Sequence, residues 1–268
     1  MELMLCLFSG CIFFPACFII VNAYLNYFIT YKLEKDDIAN ISEKCVSSIQ
    51  AICSCVVGLV IVKSCQDIIH DRHWLTNSYT CFGLPYFVYD TWAMYNSHYH
   101  HHREIQTWPI SQKMLHYMKH TKLLLLHHLF FPLLFSPVIL HFRQGLGDFY
   151  IGVFYMIEIT IPFISARQVM IQLKLTEYPS YKVVGLSMIA VFFISRILVF
   201  PFLYWSHSVY AKISFWKVFT NIPIKCNLGC LAVLLPQFYW LGLMIKGALK
   251  FFSKPKPTTL LQNSLKTK

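Results

Sequence analysis

Apolar residues in this chain come in long blocks separated by short polar stretches, without the alternation expected of half-buried strands. The blocks predict about seven helices, each near the roughly 20 residues that cross a hydrocarbon core about 30 Å thick. Backbone amides in lipid must be paired within their own segment, which favours helices. We therefore predict an all-α polytopic integral membrane protein, a bundle of about seven transmembrane helices. Their approximate bounds are residues 3–25, 47–65, 79–97, 121–142, 149–173, 183–205 and 222–252.

The blocks leave no stretch for a separate soluble domain. We expect a first transmembrane helix and cytosolic turn over residues 1–30, six further helices over 31–252, and a disordered basic cytosolic tail over 253–268. Only 13% of the residues are charged and 56% are hydrophobic, whereas a soluble domain has about 25% charged residues. Too little polar surface is available to cover a water-soluble globule.

The net charge of +11 does not indicate a nucleic-acid partner, because the basic residues lie between and after the apolar blocks. On the predicted spans, sixteen of the 23 Lys and Arg residues fall on one side of the membrane. The excess of positive charge inside puts that side, with the C-terminus, in the cytosol. Most of the ten cysteines lie in apolar blocks and are expected to be small core residues. Cys65 and Cys81 flank one loop, and a disulfide between them stays open.

Several polar residues interrupt the predicted spans: Asp90, the tandem pair His127 and His128, Glu158 and Arg196. A charge near the bilayer centre costs about 3 kcal/mol or more, so each residue needs a reason. Four consecutive helices place them in the cytosolic half or the centre of the bundle, which predicts a pocket opening to the cytosol.

Structural roles compete with that interpretation. Glu158 and Arg196 could neutralise one another across adjacent helices, and Asp90 could accept hydrogen bonds from tyrosines. The tandem histidine is harder to explain structurally, because adjacent helical positions point about 100° apart and the two rings cannot do one job together. A chemical role for at least one ring is favoured. Spacing of one residue suits metal chelation poorly compared with spacing of four.

A second histidine run, His98 to His102 with Tyr99 inside it, lies where the third predicted helix meets a cytosolic loop. We interpret it as a solvated loop or headgroup contact, with adventitious metal binding as the alternative. No resident metal or cofactor is expected.

The order and spacing of several short motifs make the sequence resemble the TLC-domain family of multispanning lipid proteins over nearly the whole chain. The motifs run, in chain order, from Lys63-Ser64-Cys65 through Arg72-His73-Trp74-Leu75, Pro85-Tyr86-Phe87-Val88-Tyr89-Asp90, Leu126-His127-His128, Gly147-Asp148-Phe149, Glu158, Thr160-Ile161-Pro162-Phe163, Ile171-Gln172-Leu173-Lys174, Ser195-Arg196, Phe200-Pro201 and Tyr204-Trp205 to Pro236-Gln237-Phe238-Tyr239-Trp240.

The resemblance implies a sphingolipid-metabolism protein of the endoplasmic reticulum, with the Golgi or plasma membrane also open. It implies ceramide-synthase-like N-acyl transfer from acyl-CoA, a co-substrate, to a sphingoid base. In the ceramide synthases a tandem histidine is catalytic, and it maps onto His127 and His128. Those enzymes also have paired aspartates on the following helix, where this chain has Glu158 and Thr160, with Asp148 only at the lumenal edge.

On this basis His127, His128 and Glu158 are the expected catalytic residues. Asp90, Tyr89 and Arg196 are expected to bind substrate. The expected partners are membrane lipids, acyl-CoA and a sphingoid base, and assembly into homo- or hetero-oligomers is left open. The competing hypothesis is a non-catalytic regulator of membrane lipid composition, or a lipid-binding accessory protein, since a fold alone does not establish chemistry.

Overall fold

A computed structural model describes residues 1–29, 33 and 35–253, and these residues form helices joined by short turns, without a strand. The predicted cytosolic turn near residue 30 and the predicted tail lie largely outside the described residues. The α-helices are α1 (Glu2–Ile29), α2 (Lys35–Ser64), α3 (Trp74–His101), α4 (Ile110–His120), α5 (Lys122–Phe130), α6 (Asp148–Met156), α7 (Ile161–Gln172), α8 (Pro179–Phe192), α9 (Val199–Ala211), α10 (Phe215–Asn221) and α11 (Ile224–Phe252).

Among the described residues, six helical stretches are long and apolar enough to cross a membrane. They are Glu2–Phe28, Asp36–Ser64, Leu125–Phe142, Asp148–Gln172, Pro179–Ala211 and Ile224–Phe252. The count of about seven is therefore corrected to six, while the all-α polytopic class is confirmed. The missing span is the third: α3 has 28 residues, but polar side chains such as Asn77 and Asp90 recur along it and lower its hydropathy.

Large apolar side chains on the outer faces of the helices are exposed, as Ile12 (70%), Val88 (72%) and Ile224 (70%) illustrate. In α11 only 6% of the most apolar window is buried. A water-soluble protein would not present so much continuous apolar surface, whereas lipid chains would cover it. The exposed faces thus agree with the membrane class.

The structure divides into two compact units, Met1–Glu177 and Tyr178 onward. In the first unit α2 is central and packs against α1, α3, α6 and α7. Phe14 of α1 is 1% exposed, and its ring centroid lies 5.3 Å from those of both Phe82 and Tyr86 of α3. These aromatic contacts fix α3 against α1.

A close crossing of α2 and α6 depends on two glycines. A Cβ added at Gly58 would clash with the Gly152 carbonyl oxygen, and one added at Gly152 would lie 3.0 Å from the Gly58 carbonyl oxygen. Small residues let helix backbones approach this closely in membranes. Beside the crossing, Ser54 Oγ donates to the Tyr155 carbonyl oxygen at 3.0 Å.

Two prolines alter the helices that carry the polar residues. Pro162 has no N–H to give the Glu158 carbonyl, which accepts instead from Ile161, and residues Ile157–Thr160 tighten into a 3-10 turn. Pro132 likewise cannot donate to the His128 carbonyl, and Phe131–Phe135 widen into a π turn. Both His128 and Glu158 therefore lie at helix irregularities, where π turns and similar features often mark functional sites.

At the N-terminal end of α3, Arg143 and Asp148 link the loop before α3 to the loop before α6. The two side chains form an ion pair, Arg143 Nη2 donates to Asn77 Oδ1 at 2.9 Å, and Asp148 Oδ2 accepts from the His73 backbone N–H at 2.7 Å. Asp148 is thus a structural residue of this end. All ten cysteines are free, so Cys65 and Cys81, whose pairing the sequence left undecided, form no disulfide in this structure.

The second unit contains α8 to α11. Tyr204 of α9 donates to Asn227 Oδ1 of α11 at 2.6 Å, and its ring stacks on Phe219 of α10 with the centroids 4.5 Å apart. Residues Phe193–Ile197 between α8 and α9 form a π turn that contains Arg196.

Candidate active site

The centre of the candidate site is a carboxylate–imidazole pair between α3 and α5. Asp90 Oδ2 lies 3.4 Å from His128 Nδ1, and the two side chains are only 7% and 11% exposed. The Phe87 ring covers His128, with the centroids 5.9 Å apart. On either side of the histidines, Leu126 and Leu129 are exposed. The helix therefore turns these two leucines outward and His128 inward.

A buried polar face of α2 completes this centre. Ser47 Oγ lies 3.4 Å from Asp90 Oδ1, and one turn earlier the buried Glu43 is paired with Lys44 at 2.7 Å. The charge of Lys44 acts on Asp90. Sequence reasoning missed Glu43 and Lys44 because the second span was placed too far along the chain, from residue 47.

A signal for this face was present in the sequence. Glu43, Ser47, Gln50 and Ser54 are spaced as i, i+4, i+7 and i+11, which is one face of an α-helix. All four are buried. A polar stripe at helical spacing in an otherwise apolar segment therefore indicates a face turned towards other helices.

His127 and Glu158 border the pair. The His127 ring stands almost perpendicular to that of His128, with the centroids 5.7 Å apart, as expected of neighbours on a helix. Glu158, in the 3-10 turn before α7, is near enough for its charge to act on both His128 and Asp90. The structure thus brings three of the sequence-predicted residues, His128, Asp90 and Glu158, into one region beside His127.

Tyr89 and Arg196 differ in their relation to this centre. Tyr89 is buried on α3, where its ring lies 6.1 Å from Phe18 and 6.3 Å from Trp92. Arg196 belongs to the second unit, is buried, and lies over the Phe192 ring at 5.7 Å. Its expected pairing with Glu158 stays a prediction.

Four buried polar atoms of the first unit lack a hydrogen-bond partner among the described residues: His128 Nδ1 and the hydroxyls of Thr76, Tyr89 and Tyr117. His128 Nδ1 has the Asp90 carboxylate nearby, whereas a buried polar group left unpaired costs about 1–3 kcal/mol, so the Tyr89 hydroxyl is prepared for a polar ligand group. Such a centre can accept a proton, orient an amine or hydroxyl, and stabilise positive charge on the imidazole.

The second histidine run belongs to the end of α3, with His102 as its C-cap, and not to a loop, which corrects that part of the expectation. His98 lies within α3 and is 9% exposed, and its Nε2 is 3.0 Å from His116 Nδ1 of α4. The rings of His102 and His120 also pack against it. Desolvation in this cluster, with the charges of His120 and His102, lowers the pKa of His116 below its ordinary value.

These features define a polytopic α-helical membrane protein with a buried histidine–carboxylate centre in one bundle of helices. The sequence model of the TLC-domain family matches residues 40–246, and the chain belongs to that family of lipid-related membrane proteins. No solved structure matches the chain.

Proposed function

We propose that this chain is a ceramide-synthase-like N-acyltransferase that joins the acyl group of acyl-CoA to a sphingoid base. Within the family, it resembles TLC domain-containing protein 3, the B member more than the A member. The observation that carries the proposal is the buried His128–Asp90 pair, whose Nδ1 and Oδ2 atoms are 3.4 Å apart. Membrane-embedded ionisable residues are costly and are usually retained for function.

The reaction needs one base. His128 Nε2 accepts a proton from the amine as the amine nitrogen attacks the thioester carbonyl carbon. The tetrahedral intermediate collapses when the C–S bond breaks, and the proton returns from His128 to the leaving thiolate. The products are an amide, which is a ceramide, and free CoA thiol, so protons and electrons balance. An imidazole suits this exchange because its ordinary pKa is about 6.5.

Asp90 positions the base. A carboxylate beside Nδ1 favours the tautomer that carries its proton there, leaves Nε2 free to accept a proton, and stabilises the imidazolium that forms. Glu158, in the 3-10 turn before α7, is close enough to interact electrostatically with His128 and assists Asp90 in this role. In this proposal Asp90 therefore orients the base, whereas the sequence analysis expected it to bind substrate.

The remaining residues have substrate roles in this proposal. The buried Tyr89 hydroxyl, which has no hydrogen-bond partner among the described residues, binds a hydroxyl of the sphingoid base. The role in substrate binding that the sequence predicts for Arg196 stays a prediction. A second route, in which one histidine accepts the acyl group before the amine attacks, uses the same residues and leaves an acyl-imidazole that rapid quenching would trap.

The proposed location is the endoplasmic-reticulum membrane with the C-terminus in the cytosol, where acyl-CoA is available. This orientation comes from the charge count over the seven spans predicted from the sequence, and because six candidate spans are described, it needs a direct test. Cys226 is exposed, and its modification by an impermeant maleimide, in sealed and in opened vesicles, tests the orientation of the adjacent helix end.

The deciding experiment measures ceramide formation by the purified full-length protein with labelled acyl-CoA and sphinganine. We expect His128→Ala and Asp90→Asn to lower turnover by about 10²- to 10⁴-fold, the range that a positioned base contributes. His141→Ala is the matched control, since His141 is an exposed histidine further along the same stretch. Size-exclusion chromatography and thermal unfolding must show that each variant is folded.

A non-catalytic regulator of membrane lipid composition is the alternative, favoured by Glu158 and Thr160 where the ceramide synthases have paired aspartates. Background turnover by the wild type and all variants, in several detergents and lipids, would replace catalysis by this role. In that case His128→Ala would still weaken binding of a ceramide or sphingoid-base probe.

A further inference from the structure

A second cluster of histidines lies outside the proposed active site, at the connection between α3 and α4. It joins His98 and His102, from the end of α3, to His116 and His120 of α4. We call it the histidine cluster. The ring centroid of His98 lies 4.4 Å from that of His102, 5.1 Å from that of His116 and 5.8 Å from that of His120.

The nitrogen atoms of three of these rings are spaced for a metal ion. One ring nitrogen each of His98, His116 and His120 lies within 4.8 Å of the other two, and His98 Nε2 and His116 Nδ1 are 3.0 Å apart. Tetrahedral zinc, with Zn–N bonds of about 2.0–2.1 Å, needs ligand nitrogens roughly 3.4 Å apart. Small side-chain rotations suffice to reach that geometry.

A hydrogen bond fixes the tautomer of one of the three rings, that of His120. His120 Nδ1 lies 2.9 Å from the His116 carbonyl oxygen, which can only accept, so Nδ1 carries the proton and Nε2 is a free ligand atom. His102 Nδ1 lies 3.0 Å from Glu104 Oε1. Metal-binding histidines usually donate their second N–H to a carbonyl or carboxylate.

The donor set also selects the kind of ion. His116 and His120 are four residues apart on one face of α4, the spacing of a chelating pair on a helix. The cluster offers imidazole nitrogens without thiolate or inward carboxylate ligands, which suits zinc and related transition metals and disfavours magnesium or calcium.

We propose that His98, His116 and His120 bind a zinc ion, with His102 beside them as the candidate fourth ligand. The ion joins the end of α3 to α4. Since α5 begins two residues after α4 ends and contains His127 and His128, the ion also fixes where that helix starts. This site is independent of the proposed acyl transfer.

The test is metal binding by the full-length protein in detergent, first stripped with a chelator and then titrated with Co²⁺ and Zn²⁺ alone. We expect about one ion per chain, tetrahedral Co²⁺ absorption that Zn²⁺ abolishes, and loss of at least about 10-fold in affinity for His116→Ala and for His120→Ala. His120 is exposed, so its variant should fold even if His116→Ala does not.

His100→Ala is the matched control. His100 belongs to the same run but faces Asp36 of α2, 3.3 Å away, and its loss should leave affinity unchanged. The site would be overturned if the wild type bound the ion no more tightly than a His116→Ala/His120→Ala double variant. It would also be overturned if His100→Ala lowered the affinity as much as His116→Ala, since that result indicates adventitious binding by surface histidines only.

Discussion

The crossing of α2 and α6 gives a sharp prediction about Gly58. In Gly58→Ala the added methyl would clash with the Gly152 carbonyl oxygen and lie 2.9 Å from Met156 Cγ and 3.0 Å from Tyr155 Cβ. The carbonyl belongs to the helix backbone and cannot rotate away, so the helices must separate. Overpacking of this kind costs about 1–3 kcal/mol, whereas alanine is favoured over glycine inside a helix by about 1 kcal/mol.

The difference leaves a net destabilisation of up to about 2 kcal/mol and a Tm lower by up to roughly 8 °C. Glu158 follows Tyr155 by three residues, so the shift should also move Glu158 away from His128 and lower any turnover. Thermal unfolding in detergent, followed by loss of the monodisperse elution peak, measures the first effect. The labelled-substrate assay measures the second.

Gly83→Ala is the control in the same unit, because a Cβ at Gly83 meets nothing within 4 Å. It gains the helix preference without the clash and should be neutral or stabilising. If Gly58→Ala were as stable as Gly83→Ala, the close backbone approach would be refuted as a determinant of stability.

Three further changes test other parts of the first unit. Arg143→Met should destabilise by about 3–5 kcal/mol, since it leaves the buried Asp148 carboxylate unpaired, and chemical denaturation in mixed micelles measures this. Tyr155→Phe removes the hydroxyl that donates to the Thr76 carbonyl at 2.8 Å and should cost about 1–2 kcal/mol in the same assay. Hydrogen bonds from the His70 and Ile69 backbone N–H groups lower the pKa of Asp67 to about 2. Its stabilisation of that turn should be complete above about pH 4 and be lost as pH falls through 2, visible as faster hydrogen exchange of those two amides.

Matched changes separate these effects from general sensitivity. Tyr239→Phe, at an exposed tyrosine of α11, should leave stability unchanged. A second substitution, Asp148→Asn, should recover part of the loss in Arg143→Met, since it removes the stranded charge. Asp67→Asn should abolish the acid-dependent change in exchange. Equal losses in Tyr155→Phe and Tyr239→Phe would contradict the hydrogen-bond argument.

The accuracy with which the sequence predicted the bounds of the spans differed from one helix to another. The first span was expected over residues 3–25 and is found over Glu2–Phe28, and the fifth was expected over 149–173 and is found over Asp148–Gln172. α2 was predicted to begin twelve residues too late, because Glu43 and Lys44 look like a polar boundary when only hydropathy is considered. In the structure they are packed against α3, and the helix continues past them.

By itself the sequence determined that this is a helical membrane protein with a chemically notable tandem histidine. Long apolar blocks have few other solutions in lipid, and a buried charge is visible as an interruption of such a block. Only the tertiary structure decided that Asp90 faces His128, that Glu43 joins them, and that His98 meets His116 across a turn. Hydropathy reports the average environment of a segment, whereas these contacts depend on the rotation of each helix about its axis and on which neighbour it meets.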